Sequence, residues 1–387
     1  MSLYSIMLLF YKLLSPIFFS LSLFAKILSL KILRLFFYFR KSLYLCHAYW
    51  GKSEMKKISY IVLSSFVFLL ISCTWGATGD KKGEVSITLD RYDKVLFEYV
   101  AFDKFSAMQK LQTDYLPESQ LLVEEILDLG SINDARFPRE LKDYYSDSIL
   151  SRLLVDTQNK FENVGRLEKQ LSAAFTSLKK DLPSITIPQV YTQVSAFNQS
   201  IVVKDDHLGI SLDKYMGVDY PLYKSFFYDY QIRYMSPRYI VSDCMLYYLV
   251  SIYPFPWQSR RMLIDHMIHE AKIHWLCMRA LGQKSIAENL GYTEEETKWC
   301  EKNEAMIWNT MKEKNYLYSS DPKVLRDFTR EAPCTECFGP HSPALLGSWI
   351  AGRMLESYMS KNKVTDYEAF MSDDNFQQIF LDSGYEQ

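Results

Sequence analysis

"SITIPQVYTQVSAFNQSIVVKDDHLGISLDKYMG", residues 184–217, is where the texture of this 387-residue chain changes. Short β-branched runs, "ITIPQVYTQV", "SIVV" and "LGISL", are separated by turn chemistry at Asn198 and at Asp205-Asp206, the pattern of strands bounded by turn formers. Three strands are predicted, the last two as a hairpin. Upstream, "EVSITLDRYDKVLFEY" begins with strand-like alternation and turns helical. Residues 105–181 then read as helical, with connections at Pro117, Asn133 and Pro138. The clearest element is residues 156–183, where Phe161, Val164, Leu167, Leu171, Phe175 and Leu178 recur at threes and fours on one apolar face. Pro183 ends it. Helices resume from Pro237, over residues 238–253, 259–282 and 293–314, with shorter ones near 323–331, 343–359 and 374–382. Thr293 with Glu296 three residues on is a capping box. Helices, a sheet, then helices again give the class α+β, mostly helical with a small mixed sheet in the middle.

Ahead of this body lies "MKKISYIVLSSFVFLLISCTWG", residues 55–76. Lys56 and Lys57 supply a positive end and Ile58 to Ile71 an apolar core, which is the make-up of a secretory signal. Leu70-Ile71-Ser72-Cys73 resembles a bacterial lipobox, in which the cysteine thiol takes a diacylglyceryl group, the signal is cut, and the new N-terminus is acylated. The expected organisation is a lipoprotein signal peptide at 55–72, lipidation at Cys73, a flexible tether at 73–84 and a single α+β domain at 85–387. Residues 1–54 have no acidic residue before Glu54 and are read as a non-native upstream leader, with Met55 as the start. Thr74 follows the cysteine where inner-membrane retention usually has Asp, which favours the outer membrane.

The mature part is roughly 315 residues, enough for a sizeable core. The chain is 48% hydrophobic and 15% aromatic, with a formal net charge of −2. A nucleic-acid surface would show as clustered Lys and Arg at high pI, so nucleic acid is not an expected partner. The membrane, through the lipid, and envelope proteins are. Setting aside Cys46 in the leader and Cys73, five cysteines remain, an odd number. Cys334 and Cys337 are the expected bridge, since exported proteins keep disulfides. Cys244, Cys277 and Cys300 read as buried small hydrophobes.

The tempting chemistry is "DHMIHEAKIHW", residues 265–275, which crowds Asp265, His266, His269, Glu270 and His274 on one helix. A zinc-protease helix needs H-E-x-x-H, because residues four apart project side by side. Here Ile273 holds the partner position and His274 comes one place late, about 100° around the helix. The candidate metal set is therefore His266, His269 and Glu270, completed by His341 from "CTECFGPH", residues 334–341. A solvated helix face is the plainer alternative. No G-x-S-x-G, Gly-rich phosphate loop or G-x-G-x-x-G occurs. Asp243 and Tyr247, four apart, read as a surface or hydrogen-bonded pair. For want of a complete catalytic set, a non-catalytic protein without cofactor is expected, with zinc at the Glu270 helix as the alternative. The aromatic run "YPLYKSFFYDYQIRY", residues 220–234, reads as core and hairpin edge before it reads as a stacking platform.

Five segments carry a family resemblance: "LDRYDKVLFE", "IPQVYTQVSAFNQSIVVKDDHLGISLDKYMG", "MSPRYIVSDCMLYYLVSIYP", "LGYTEEETKWCEKNEAMIWNTMKEKNYLYSSDPKVLRDFTREAP" and "SPALLGSWIAGRMLESYMSKN". From near Ser86 to the end, their order and spacing resemble the gliding-motility lipoprotein B (GldB) family of Bacteroidetes. The resemblance implies a lipid-anchored envelope protein tied to gliding and secretion machinery, with no established catalytic residues. It also implies a distant similarity to gluzincin metallopeptidases, a degenerate zincin-like scaffold. In that overlay Ser242 to Tyr247 fall at the metal helix, without a histidine, and Glu270 falls at the third-ligand position. The function implied is a peptidase scaffold reused for binding; a divergent zinc metallohydrolase is the alternative. Cys334, Cys337 and the histidine-rich helix depart from the family's pattern.

Overall fold

The alternation in residues 184–217 becomes three strands, and a fourth joins them from ahead of the first helices. The computed structural model describes residues 83–385; the leader, the signal at 55–72, Cys73 and most of the tether lie outside the described residues. Strands β1 (Leu89–Asp90), β2 (Gln189–Gln193), β3 (Ile201–Lys204) and β4 (His207–Ser211) form one sheet in the order β1-β2-β4-β3. β2 pairs parallel with β1 and with β4, while β3 runs antiparallel to β4, so the sheet is mixed. β2 begins only at Gln189, because Pro188 has no N–H to give a ladder. β3 and β4 are the expected hairpin, turning on Asp205-Asp206 with Asp205 at φ 51°. That is the left-handed region, which Asp visits more readily than most residues.

Between β1 and β2 run α1 (Tyr92–Phe102), α2 (Phe105–Thr113), α3 (Leu116–Gln120), α4 (Phe137–Tyr145), α5 (Ser148–Lys160) and α6 (Gly165–Asp181). Pro117 and Pro138 stand in the first turns of α3 and α4, where a missing N–H costs nothing. The single element expected at 156–183 is in fact two helices. The Asn163 side chain accepts the Gly165 N–H at 2.9 Å and restarts the chain as α6. Phe161, Leu167, Leu171, Phe175 and Leu178 nonetheless share one core, so the apolar period runs straight through the break.

After the sheet come α7 (Tyr223–Phe226), α8 (Asp229–Ile232), α9 (Ile240–Ile252), α10 (Leu263–Leu281), α11 (Ile286–Asn289) and α12 (Glu294–Glu313). The chain ends in α13 (Pro322–Thr329), α14 (Leu346–Asn362), α15 (Tyr367–Ser372) and α16 (Phe376–Ser383). The capping box of α12 is formed: the Glu296 N–H donates to the Thr293 hydroxyl oxygen at 3.1 Å, and the Thr293 N–H to the Glu296 carboxylate at 2.8 Å. The class is α+β, mostly helical with a small mixed sheet.

Successive side chains of a strand point to opposite faces, and β2 is covered on both. Val190 joins the larger core with α6, α9, α10 and α14, whereas Tyr191 joins a smaller one with Leu96 of α1 and Tyr145 of α4. Gly209 stands opposite Tyr191 in register. A Cβ there would lie 2.5 Å from the tyrosine ring, so glycine is what lets that ring lie across the sheet. Asp93 ties the two layers together. It is wholly buried, takes a bidentate pair from Arg91 at 2.8 and 2.7 Å, and accepts from Gln158 of α5 and Thr192 of β2.

Candidate functional site

Helix α9 reads IVSDCMLYYLVSI, apolar almost throughout, and packs against β3, β4, α6 and α10. A carboxylate on such a helix has to find a partner or water. Asp243 finds both: it accepts the Tyr215 hydroxyl at 2.7 Å and keeps part of its surface in solvent. Tyr247, one turn on, is 44% exposed. Glu270, on the neighbouring α10, accepts the Ser348 hydroxyl of α14 at 2.7 Å. Arg330 and Glu331, just past α13, stand near enough to act on these groups. The Glu331 carboxylate acts on Asp243 and Tyr247, and the Arg330 guanidinium on Glu270 and Tyr247.

Asp243 and Glu270 are half-buried, while Arg330 and Glu331 are exposed. Lost hydration pushes Asp243 up to about 7, against the hydroxyl bond from Tyr215. It pushes Glu270 up to about 7 as well, with Ser348 and Arg330 pulling the other way. Glu331 is raised by the same cause, opposed by Lys214 and Arg233. Asp243 and Glu270 are thus bonded to hydroxyls, not to cations. The group presents three carboxyls of weakened acidity, with Arg330 acting on Glu270 and with Lys214 and Arg233 acting on Glu331.

This group adjoins the β3 border of the sheet. Tyr247 lies beside Ser200, just ahead of β3, and the Ser211 N–H donates to the Ser200 carbonyl at 2.9 Å. Antiparallel pairing alternates, so Ser200, Val202 and Lys204 bond to β4 while the N–H and C=O groups of Ile201 and Val203 point outward. Among the described residues no strand lies beyond β3.

The sequence-predicted ligands are placed otherwise. His266 stacks on Phe255, with ring centroids 3.9 Å apart, and meets Trp257 at 4.8 Å; its Nε2 is buried without a partner. His269 sits between Phe255 at 5.2 Å and Phe376 at 5.8 Å. Burial, with Lys272 and His266 nearby, lowers its pKa to about 4. Glu270 is committed to Ser348, His274 Nδ1 bonds Asn289 at 2.7 Å, and His341 is exposed on the loop after α13. His266 and His269 do come together, but on an aromatic ring. Among the described residues no group of three or more His, Cys, Asp or Glu side chains is placed to hold a metal. A zinc ion does not fit, because binding it would require unstacking rings that the core holds.

Cys334 and Cys337 carry free thiols. Their loop is closed by hydrogen bonds: Asp327 accepts the Glu336 and Cys337 N–H groups, and Thr335 and Ser342 bond across its neck. Sequence reasoning paired Asp243 with Tyr247 but missed Arg330 and Glu331. The available signal was one acidic residue in an otherwise apolar helix.

Over residues 76–387 the chain matches a family model described as gliding motility protein GldB. No curated protein and no solved structure matches it.

Proposed function

The chain belongs to the gliding motility protein GldB family, and from that premise we propose that it is a lipid-anchored cell-envelope component, held through Cys73, that binds partner polypeptides and does no chemistry on them. The outer membrane is the favoured location, on the strength of Thr74. The observation that supports the binding role is the unpaired border of β3 at Val203, beside Tyr247 and the Asp243 carboxyl. The outward N–H and C=O groups of half-buried Val203 are a template for one more strand; Ile201, next along the border, is buried. Exposed Tyr247 and Val250 on α9 supply apolar contact next to it. The carboxyls of Asp243, Glu270 and Glu331 suit a basic side chain on the incoming segment. The alternative, a zinc metallohydrolase on the Glu270 helix, gains no support from a histidine pair stacked on Phe255.

A photo-cross-linking residue placed at Val203 or Tyr247 in the native cell tests this. Adducts with an envelope protein are expected at both positions. V203P removes one outward N–H without touching the β4 ladder, since proline is tolerated on a sheet border. It should abolish the adduct at Tyr247 while circular dichroism stays unchanged. Membranes that give no adduct above background at either position would remove the binding role.

A further inference from the structure

Where α1 turns into α2, six consecutive residues, Ala101-Phe102-Asp103-Lys104-Phe105-Ser106, are exposed. Phe102 is 62% and Phe105 80% exposed, although phenylalanine is ordinarily among the most buried residues. Two such rings at one turn mark a contact surface. The turn is held firmly. Asp103 adopts φ 54° and its N–H donates to the Tyr99 carbonyl at 2.9 Å, while the Ala107 N–H donates to the Lys104 carbonyl at 3.0 Å. Its charges are neutralised locally: Lys104 pairs with Glu98 at 3.3 Å and Asp103 with Lys142 at 2.7 Å. What the turn presents is therefore apolar and close to uncharged.

The covalent geometry says what can cover it. The Val85, Ile87 and Leu89 N–H groups are fixed on α6 by Thr176, Ser172 and Glu168 at 2.9, 2.9 and 3.0 Å. Ahead of them, the ten residues from Cys73 to Gly83 reach at most about 35 Å. Helix α1, which carries the turn, is about 16 Å long. Residues 83–89 and α1 together span at most about 36 Å, comparable with that reach, so a bilayer holding acyl chains on Cys73 can meet Phe102 and Phe105.

We propose that the Phe102–Phe105 turn is a membrane-seating loop, placing both rings among the lipid acyl chains and its paired charges at the headgroups. The proposal rests on the anchor reading above. Apolar burial drives the contact, so salt leaves it unchanged.

The test uses the full acylated protein in vesicles of phosphatidylethanolamine and phosphatidylglycerol, with and without brominated acyl chains. F105W and F102W each add emission above the wild type. Bromine should quench that added emission at least about two-fold, equally at low salt and at about 0.5 M NaCl, where charge attraction is screened. F226W, at another exposed ring, should be quenched little. Acylated protein that floats with the vesicles while F105W and F102W stay unquenched overturns the loop and leaves the anchor standing. Protein that carries no lipid and stays out of the vesicles overturns the anchor, and the loop with it. Quenching at Phe226 equal to that at Phe105 also overturns it, because the contact would then belong to no particular loop.

Discussion

Asp243 illustrates how one side chain can set a pH response. The residues facing it are Tyr215, Ser242, Tyr247, Cys277 and Glu331, and none is a cation. Its pKa is raised to about 7 in the fold from an ordinary 3.8. The stabilisation that goes with holding this proton is complete below the unfolded value and is lost as pH rises through about 7. Glu270, at about 7, and Asp213, at about 6, have the same sign. His266, His269 and His274 have the opposite sign, because burial lowers all three. The two sets oppose each other below the ordinary histidine value; just above it the carboxyls dominate, until Lys272, which burial lowers to about 8, opposes them in turn. Urea unfolding should therefore show stability falling between pH 6.5 and 7.5. D243N keeps an acceptor for the Tyr215 hydroxyl and should gain on the wild type by about 1 kcal/mol across that range. A difference that stays flat with pH would dissociate Asp243 from the effect.

The connection from β2 to β3 shows an element held by a residue outside it. Ala196 and Phe197 adopt φ 51° and 68°, the left-handed region that side chains resist. The buried Asp213 carboxyl, just past β4, accepts the Ser195 N–H at 3.0 Å and the Phe197 N–H at 2.6 Å. Its two oxygens hold the strained link and thereby the position of β3. D213A strands both N–H groups and should cost about 2–4 kcal/mol in urea unfolding, with D213N losing roughly half of that. An unchanged midpoint for D213A would mean that other contacts hold the link. The strands themselves were legible because period-two alternation and turn formers are local signals. The break at Asn163 was not, because Phe161 and Leu167 keep the helical period across it. Asp243 and Tyr247 could be paired by spacing, but their grouping with Arg330 and Glu331 depends on a segment that folds back from far downstream. The histidine cluster was visible as residue types. That Phe255 would stack on His266, and that His269 would sit between Phe255 and Phe376, is a tertiary fact, and no local pattern announces it.

At the scale of the whole molecule, the question is what keeps the body at a surface. Among the described residues no helix is long and apolar enough to cross a membrane. If the signal is cut ahead of Cys73, the hold comes from acyl chains and from whatever the body adds. One chain is a marginal anchor, while a diacylglyceryl group plus an amide-linked chain is a stable one, at about 0.8 kcal/mol per buried CH₂. Two phenylalanine rings fall well short of that, so on the proposed anchoring the loop would orient the body and the lipid would retain it. Proteolysis within residues 74–82 should then release the folded body from native membranes. The lipid-bearing peptide that begins at Cys73 should stay behind, identifiable by its mass. C73S should instead accumulate as a precursor with residues 55–72 still attached, retained by that apolar segment. Release of the body with an unmodified Cys73 sulfur in the retained peptide would show that something other than lipid was holding it.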